Sequence, residues 1–445
     1  MKKKILSLIS LVTLFVLMFP LVVLADFSDS NNSSNGFGGG ANSNTQWDSG
    51  NSWLELDSTG LESGSGTFTS RIMDSGGFVR WPTLSWVPTY PSNKELPNNA
   101  TTETSYSSGN IDMSFDTVLL HFNESGSATS FIDSSGRNYN SSCSGDSCPS
   151  ATTGLFNGAF NFDGQNDEVD IPAMSKSELF GGVNFSLSFW VNPGSTPDKP
   201  TFGFLGSGGY NANNPFASYD SWLSVGNGST YQLLPALPDA PANKWSNYVI
   251  VSDGTDYIVY LNGVEKSRTA ITFSPEGFAS RQFVIGRSGF GSDYDDWFNG
   301  KIDDFTIIKR AFSQSDAAGI YNRGIARLKF QVRSCDDDVC SGESFVGPDG
   351  TSGTYFSELT NQSVGLPSKN ISQISIANRY FQYKAFFEND DPAATVAPQL
   401  MSVSVATGFA GDNAHIPEFS NYVYVFTVAA SLLYMTYVFK VQRSI

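Results

Sequence analysis

Between Trp53 and Ala406 the chain is written in short runs, alternating or wholly apolar, broken by Gly, Pro, Asn or Asp roughly every ten residues. Leu187 and Phe189 alternate with Ser186 and Ser188. Leu328, Phe330 and Val332 alternate with Lys329, Gln331 and Arg333, and Val403 and Val405 with Ser402 and Ser404. Period two puts each apolar set on one face of a pleated strand, and frequent turn residues keep the strands short, so the pattern predicts β-sandwiches or jelly rolls. The run Tyr257 to Leu261 followed by Asn262-Gly263 reads as a strand entering a two-residue hairpin turn. One helix stands out, capped by Ser313 with Asp316 three residues on and closed at Gly324.

With 445 residues the chain has room for two or three domains at ~150 residues each. Its net charge of −17, with no internal Lys/Arg-rich run, argues against nucleic acid as a partner, because phosphate binding needs clustered cations. Two histidines, His121 in an apolar run and His415 before the C-terminal apolar segment, leave little material for a histidine-based triad or zinc site. The four cysteines fall into two close pairs, Cys143 with Cys148 and Cys335 with Cys340, each in a Ser/Gly/Asp-rich loop. In an exported chain they read as two local disulfides. Asn-x-Ser/Thr sequons at Asn99, Asn123, Asn140 and elsewhere fit a glycoprotein.

Both ends point to export. Lys2, Lys3 and Lys4, an apolar stretch from Ile5 to Leu24 and Val23-Leu24-Ala25 have the layout of a secretory signal peptide over residues 1–25. Residues 26–52, rich in Asp, Ser, Asn and Gly, are expected to be a disordered leader. Residues 408–418 read as a linker and 419–439 as an uncharged transmembrane helix, long enough at ~1.5 Å per residue to cross a ~30 Å hydrocarbon core. Lys440 and Arg443 place the tail, 440–445, in the cytoplasm. Pro417-Glu418-Phe419, the apolar helix and the basic tail resemble the PEF-type sorting signals of archaeal surface proteins. That resemblance implies a sortase-like processing enzyme as a partner; the alternative is a plain single-pass anchor.

The middle of the chain carries an ordered set of motifs. They run from Leu119-Leu120-His121-Phe122 through Asp133-Ser134-Ser135-Gly136, Gly158 to Gly164 and Phe185 to Val191. Lys244-Trp245, Tyr260 to Gly263, Val284-Ile285-Gly286 and Phe298 to Phe305 follow. The set resembles the laminin G-like, concanavalin A-like jelly-roll family. Trp190 and Trp245 would be large core fillers. The flanks, Gly66 to Trp86 before and Leu328 to Val405 after, hold too few strands to stand alone. Joined, they resemble a small β-sandwich repeat of prokaryotic surface proteins. The expected fold is therefore all-β: a laminin G-like jelly roll over 111–325 inserted into a second, smaller β-sandwich built from 53–110 and 326–407, plus the C-terminal transmembrane helix.

Three chemistries suggest themselves. The concanavalin A-like fold can host glycoside hydrolases, but the nearest carboxylate motif, Glu168-Val169-Asp170, has no third acid. The resemblance implies Ca²⁺ held by Asp133 and Asp303, with Asp163 a further candidate; the alternative is that Asp163 and Asp303 simply cap turns. Tyr294, Asp295, Asp296 and Trp297, with Tyr219 and Trp222 in a second polar stretch, have the composition of sugar-stacking loops, although Trp297 could equally be a rim core residue. The expectation is a non-catalytic adhesion or binding protein on the cell surface, recognising an extracellular glycan or glycoprotein and held in the membrane by its C-terminal helix. The alternatives are a structural surface-layer component or a glycoside hydrolase.

Overall fold

The fold was obtained as a computed structural model, which describes residues 26–179, 184–196, 198, 201–204, 216–219, 222–226, 229–272, 281–288, 296–360, 363–374, 377–391 and 397–409. The expected signal peptide, and the expected membrane helix with Pro417, Glu418 and Phe419, lie outside these residues. Among the described residues no helix is long and apolar enough to cross a membrane.

Strands from both flanks share one ten-stranded sheet. The long strand Met73–Pro88 pairs along Leu400–Phe409 and, near its start, with Asn378–Asn389, which also pairs with Ala326–Cys335 and Ser65–Thr69. Alternation does the expected work. Leu328, Phe330 and Val332 face Trp81, Leu84 and Trp86 in one buried core, while Lys329 and Arg333 point out.

The leader expected to be disordered is part of this sandwich. Phe27–Asp29 pairs with Val403 to Val405, Ala41–Ser43 with Ser65–Thr69, and Thr45–Asp48 with Trp53–Leu56. Phe37 is 1% exposed and meets Phe68 edge-on at 5.5 Å. The Gly38-Gly39-Gly40 run permits close packing rather than freedom: a Cβ on Gly40 would sit 2.3 Å from Cζ of Phe68. A few well-placed aromatics thus order a segment that composition alone marked as unable to fold.

The jelly roll has two eight-stranded sheets. In the first, Asn184–Pro193 lies between Asn299–Ile308 and Ser246–Asp253; in the second, Val169–Met174, Arg281–Ile285 and Phe202–Phe204 are neighbours. Phe160, Phe189, Ile250 and Phe305 of the first sheet pack on Ile171, Phe202, Leu223 and Phe283 of the second. The Asn262-Gly263 turn forms as predicted, with φ of 55° and 73°. Both disulfides close, each with Cα atoms 5.1 Å apart.

The helix Gln314–Ile325 has the expected capping box between Ser313 and Asp316 but does not stop at Gly324. That glycine lies inside the last turn, where a Cβ would be 2.2 Å from Cζ2 of Trp190. Its role is close approach, not termination. Two short helices, Ser58–Ser63 and Lys176–Leu179, escaped the sequence pattern because neither is long enough to show a period.

The first flank also ends sooner than residue 110. After Pro88 the chain leaves the sheet, and Thr89 to Pro97 run buried between the sandwiches. Buried charges are paired there. Lys94 Nζ lies 2.9 Å from Glu103 Oε1 and donates at 2.9 Å to Tyr106, whose hydroxyl donates at 2.5 Å to Glu358 Oε2. From the helix, Arg323 donates to Glu103 and to the carbonyl of Glu95. The seam ties linker, helix and smaller sandwich into one network.

Candidate functional site

The three aspartates proposed for calcium cap backbone amides in separate places. Asp133 Oδ1 accepts from the amides of Leu119 and Ser135, and Oδ2 from the Ser135 hydroxyl and the Tyr139 amide. Asp163 Oδ1 accepts from the amides of Gln165 and Asn166. Asp303 Oδ2 accepts from Leu155 and Phe156, and burial, reinforced by Asp304, drives its carboxyl well above the ordinary range. A hard cation takes about six to eight oxygens, carboxylate and carbonyl, converging on one point, whereas these carboxylates are occupied by amide and hydroxyl donors. No group of three or more His, Cys, Asp or Glu side chains among the described residues could hold a metal ion. These residues do not fit a calcium centre.

Next to Asp303, Asp304 sits at a register shift with φ of 47°. That conformation aims its carboxylate at His121 Nδ1, 2.5 Å away, and at the Leu96 amide. Nε2 of His121 meets Asn98 Oδ1 at 2.6 Å. Burial pulls the imidazole pKa down, but Asp304, Glu95 and Glu124 together more than offset it and hold the pKa above the usual value. With both ring nitrogens engaged and the residue 5% exposed, the pair is a structural clasp.

The accessible polar chemistry lies where Val169–Met174 meets Arg281–Ile285 on the outer face of the second sheet. Val169 and Ile171 point into the core, so Glu168 and Asp170 face out. Both approach Arg287. Its Nε is 2.8 Å from Glu168 Oε2, an ion pair without hydrogen-bond alignment, and its guanidinium lies 5.6 Å from the centre of the Trp297 ring. A bridge between Arg287 and Trp297, and a bond from the Ser288 amide to the Asp296 carbonyl, fix the two chain segments side by side. Burial raises the pKa of Glu168 and of Asp170, with Arg287 opposing it in both. Further across the sheet Val284, Gly203, Ala217 and Ser224 continue the Asp170 row and are all buried, whereas Ser142 and Ser130 on its other side, and Leu233 beyond Ser224, are exposed, so the half-buried Arg287–Trp297 rim borders one of the open parts of this face.

Of the sugar-stacking residues singled out by the sequence, Trp297 and Asp296 belong to this rim, while Tyr294 and Asp295 lie outside the described residues. Tyr219 and Trp222 are register partners across a hairpin. Arg287 was missed: a lone arginine after a glycine carries no pattern, and only the bridge to Trp297 gives it meaning. Trp245, expected as core, is only partly buried.

Residues 163–318 match a laminin G family model described as the concanavalin A-like lectin/glucanases superfamily, which supports the laminin G-like domain. No curated protein matches the chain. Among solved structures, domain 4 of AbnA, a GH43 extracellular arabinanase from Geobacillus stearothermophilus, in complex with arabinotriose, is 21% identical with a TM-score of 0.35, covering 46% of this chain and 98% of that one. The botulinum neurotoxin serotype D binding domain is 15% identical, TM-score 0.35, covering 49% of this chain and 58% of the toxin domain. Trypanosoma rangeli sialidase in complex with the inhibitor DANA is 15% identical, TM-score 0.33, covering 46% of this chain and 32% of the sialidase. At these scores the likenesses carry no argument about activity.

Proposed function

We propose that the protein is exported, held at the cell surface by its C-terminal segment, and binds an extracellular glycan or glycoprotein through its jelly roll without catalysing a reaction. One observation carries the reading: the half-buried Arg287–Trp297 pair stands beside two carboxylates on the outer face of a sheet. An indole offers an apolar surface to sugar C–H groups, while a guanidinium and carboxylates satisfy hydroxyls around it. Glu168 and Asp170 are two residues apart on one side and both engage Arg287, unlike the facing pair a glycosidase needs. The two local disulfides suit an oxidising compartment. A glycan array probed with residues 26–409 tests the reading. Binding should fall by roughly ten-fold or more in Trp297→Ala and in Arg287→Ala, the loss expected of a central aromatic or arginine anchor. An array signal unchanged by both substitutions would rule the site out.

A further inference from the structure

Where the inserted jelly roll meets the smaller sandwich, a cleft of about 360 Å³ opens that shares no residue with the Arg287–Trp297 rim. Such a volume is within the range of small-ligand sites, which favour module boundaries. One wall is jelly roll: Asn243, Lys244 and Trp245, with Asn262 of the hairpin turn. The other wall is Asp390 and Asp391, where the strand Asn378–Asn389 ends, and Tyr321 of the connecting helix lies at the base. Neither module forms this cleft alone. We propose that it is a binding site for a neutral oligosaccharide.

The walls are held before any ligand arrives. The Asp390 amide donates to the Ile325 carbonyl at 3.0 Å, and the Tyr321 hydroxyl to Asp391 Oδ2 at 2.6 Å. Opposite, the Asn243 amide donates to the Pro193 carbonyl at 2.9 Å, and Asn262 and Asn247 exchange bonds at 2.9 Å. What remains open is suited to hydroxyl groups. Asn243 is exposed and its side-chain amide makes no bond to a described residue. Asn262 commits its side-chain oxygen to the Asn247 amide, which leaves its NH₂ to donate. Lys244 is exposed and makes no ion pair with a described residue. Trp245 is partly buried, packed against the apolar cluster of Leu155, Phe156, Trp190, Tyr321 and Ile325, and lines the cleft. A fixed indole beside amide donors and carboxylate acceptors is the arrangement that stacks a pyranose and bonds its edge.

Charge narrows the ligand class. Asp390 is paired with Arg327, and Lys244 lines the cleft together with Asp390 and Asp391, so the two carboxylates are accompanied by two cations. Neither an anionic nor a cationic sugar gains from such a site; a neutral one can use donors and acceptors of both kinds.

The test uses the full chain in a sugar-free detergent, titrated calorimetrically with cellotriose, maltotriose, xylotriose, triacetylchitotriose and, as an anionic comparison, trigalacturonate. At least one neutral trisaccharide should bind, Trp245→Ala should weaken it about ten-fold or more, and Trp245→Phe should recover part of the loss. Asn243→Ala and Lys244→Ala, both at exposed side chains, should each weaken binding with an unchanged melting curve. They decide the matter should Trp245→Ala disturb folding. Trp297→Ala and Arg287→Ala should leave this binding intact, which separates it from the rim. The assignment is overturned if no neutral trisaccharide binds, if binding ignores Asn243→Ala and Lys244→Ala, if it is lost with the rim substitutions instead, or if trigalacturonate binds more tightly than every neutral sugar.

Discussion

Glu103 has one oxygen beside Lys94 and the other on Arg323, and all three side chains are buried. Removing one partner of a buried ionic group leaves the others charged without compensation. Glu103→Ala should therefore cost about 3–5 kcal/mol in urea unfolding. Breaking the exposed Asp74–Arg379 pair should cost about 0–1 kcal/mol. The same neighbourhood sets a pH response. Burial pushes the carboxyls of Glu358 and Asp116 up to about 7, and His121 is held above its usual value by Asp304, Glu95 and Glu124 against burial. In each case the folded chain binds protons more tightly than the unfolded one, so the stability these three groups contribute is fully present below their unfolded pKa values and is lost as pH rises through about 7. The melting temperature should drop between about pH 5 and pH 8, and Glu358→Gln should make that drop shallower. An unchanged slope in the variant would show that Glu358 is ionised throughout. None of these buried roles was legible in the sequence: Lys94 and Glu103 sit in polar stretches that read as solvated surface, and Glu358 lies far from both along the chain. Turn capping by Asp163, by contrast, stood among the alternatives for the sequence, and its Oδ1 accepts from the amides of Gln165 and Asn166.

Among the elements, strands were the legible part because period two and turn residues are local signals. The helix was legible for its capping box, while its end was misread because Gly324 looks the same whether it terminates a helix or admits a neighbour. The two meanings differ in outcome. Alanine normally improves a helix interior by up to ~1 kcal/mol over glycine. Here the added methyl would strike Trp190, so Gly324→Ala should destabilise by about 1–3 kcal/mol, measured by thermal unfolding. The leader was misread for a related reason. Composition averages over residues 26–52, whereas Phe27, Phe37 and Trp47 act singly, each meeting a specific ring or core residue of the sandwich.

For the whole molecule, the insertion was foreseeable because neither flank held enough strands, but the seam joining the two sandwiches depends on contacts that only the folded chain creates. Those contacts couple the parts. Residues 26–409 should unfold in one calorimetric transition, with van't Hoff and calorimetric enthalpies equal; two separate transitions would show that the seam transmits no stability. The register of the smaller sandwich has a mechanical meaning as well. Leu400 lies beside Pro88, and Phe409 beside Val79, so the last strand runs antiparallel to the one that leads into the jelly roll. Suppose the chain is held beyond Phe409, as the proposed anchor requires, while a captured ligand drags the jelly roll away. The two strands are then pulled from opposite ends along their lengths, in shear. Their hydrogen bonds must yield together instead of one after another, and the molecule would resist tension as a tether does.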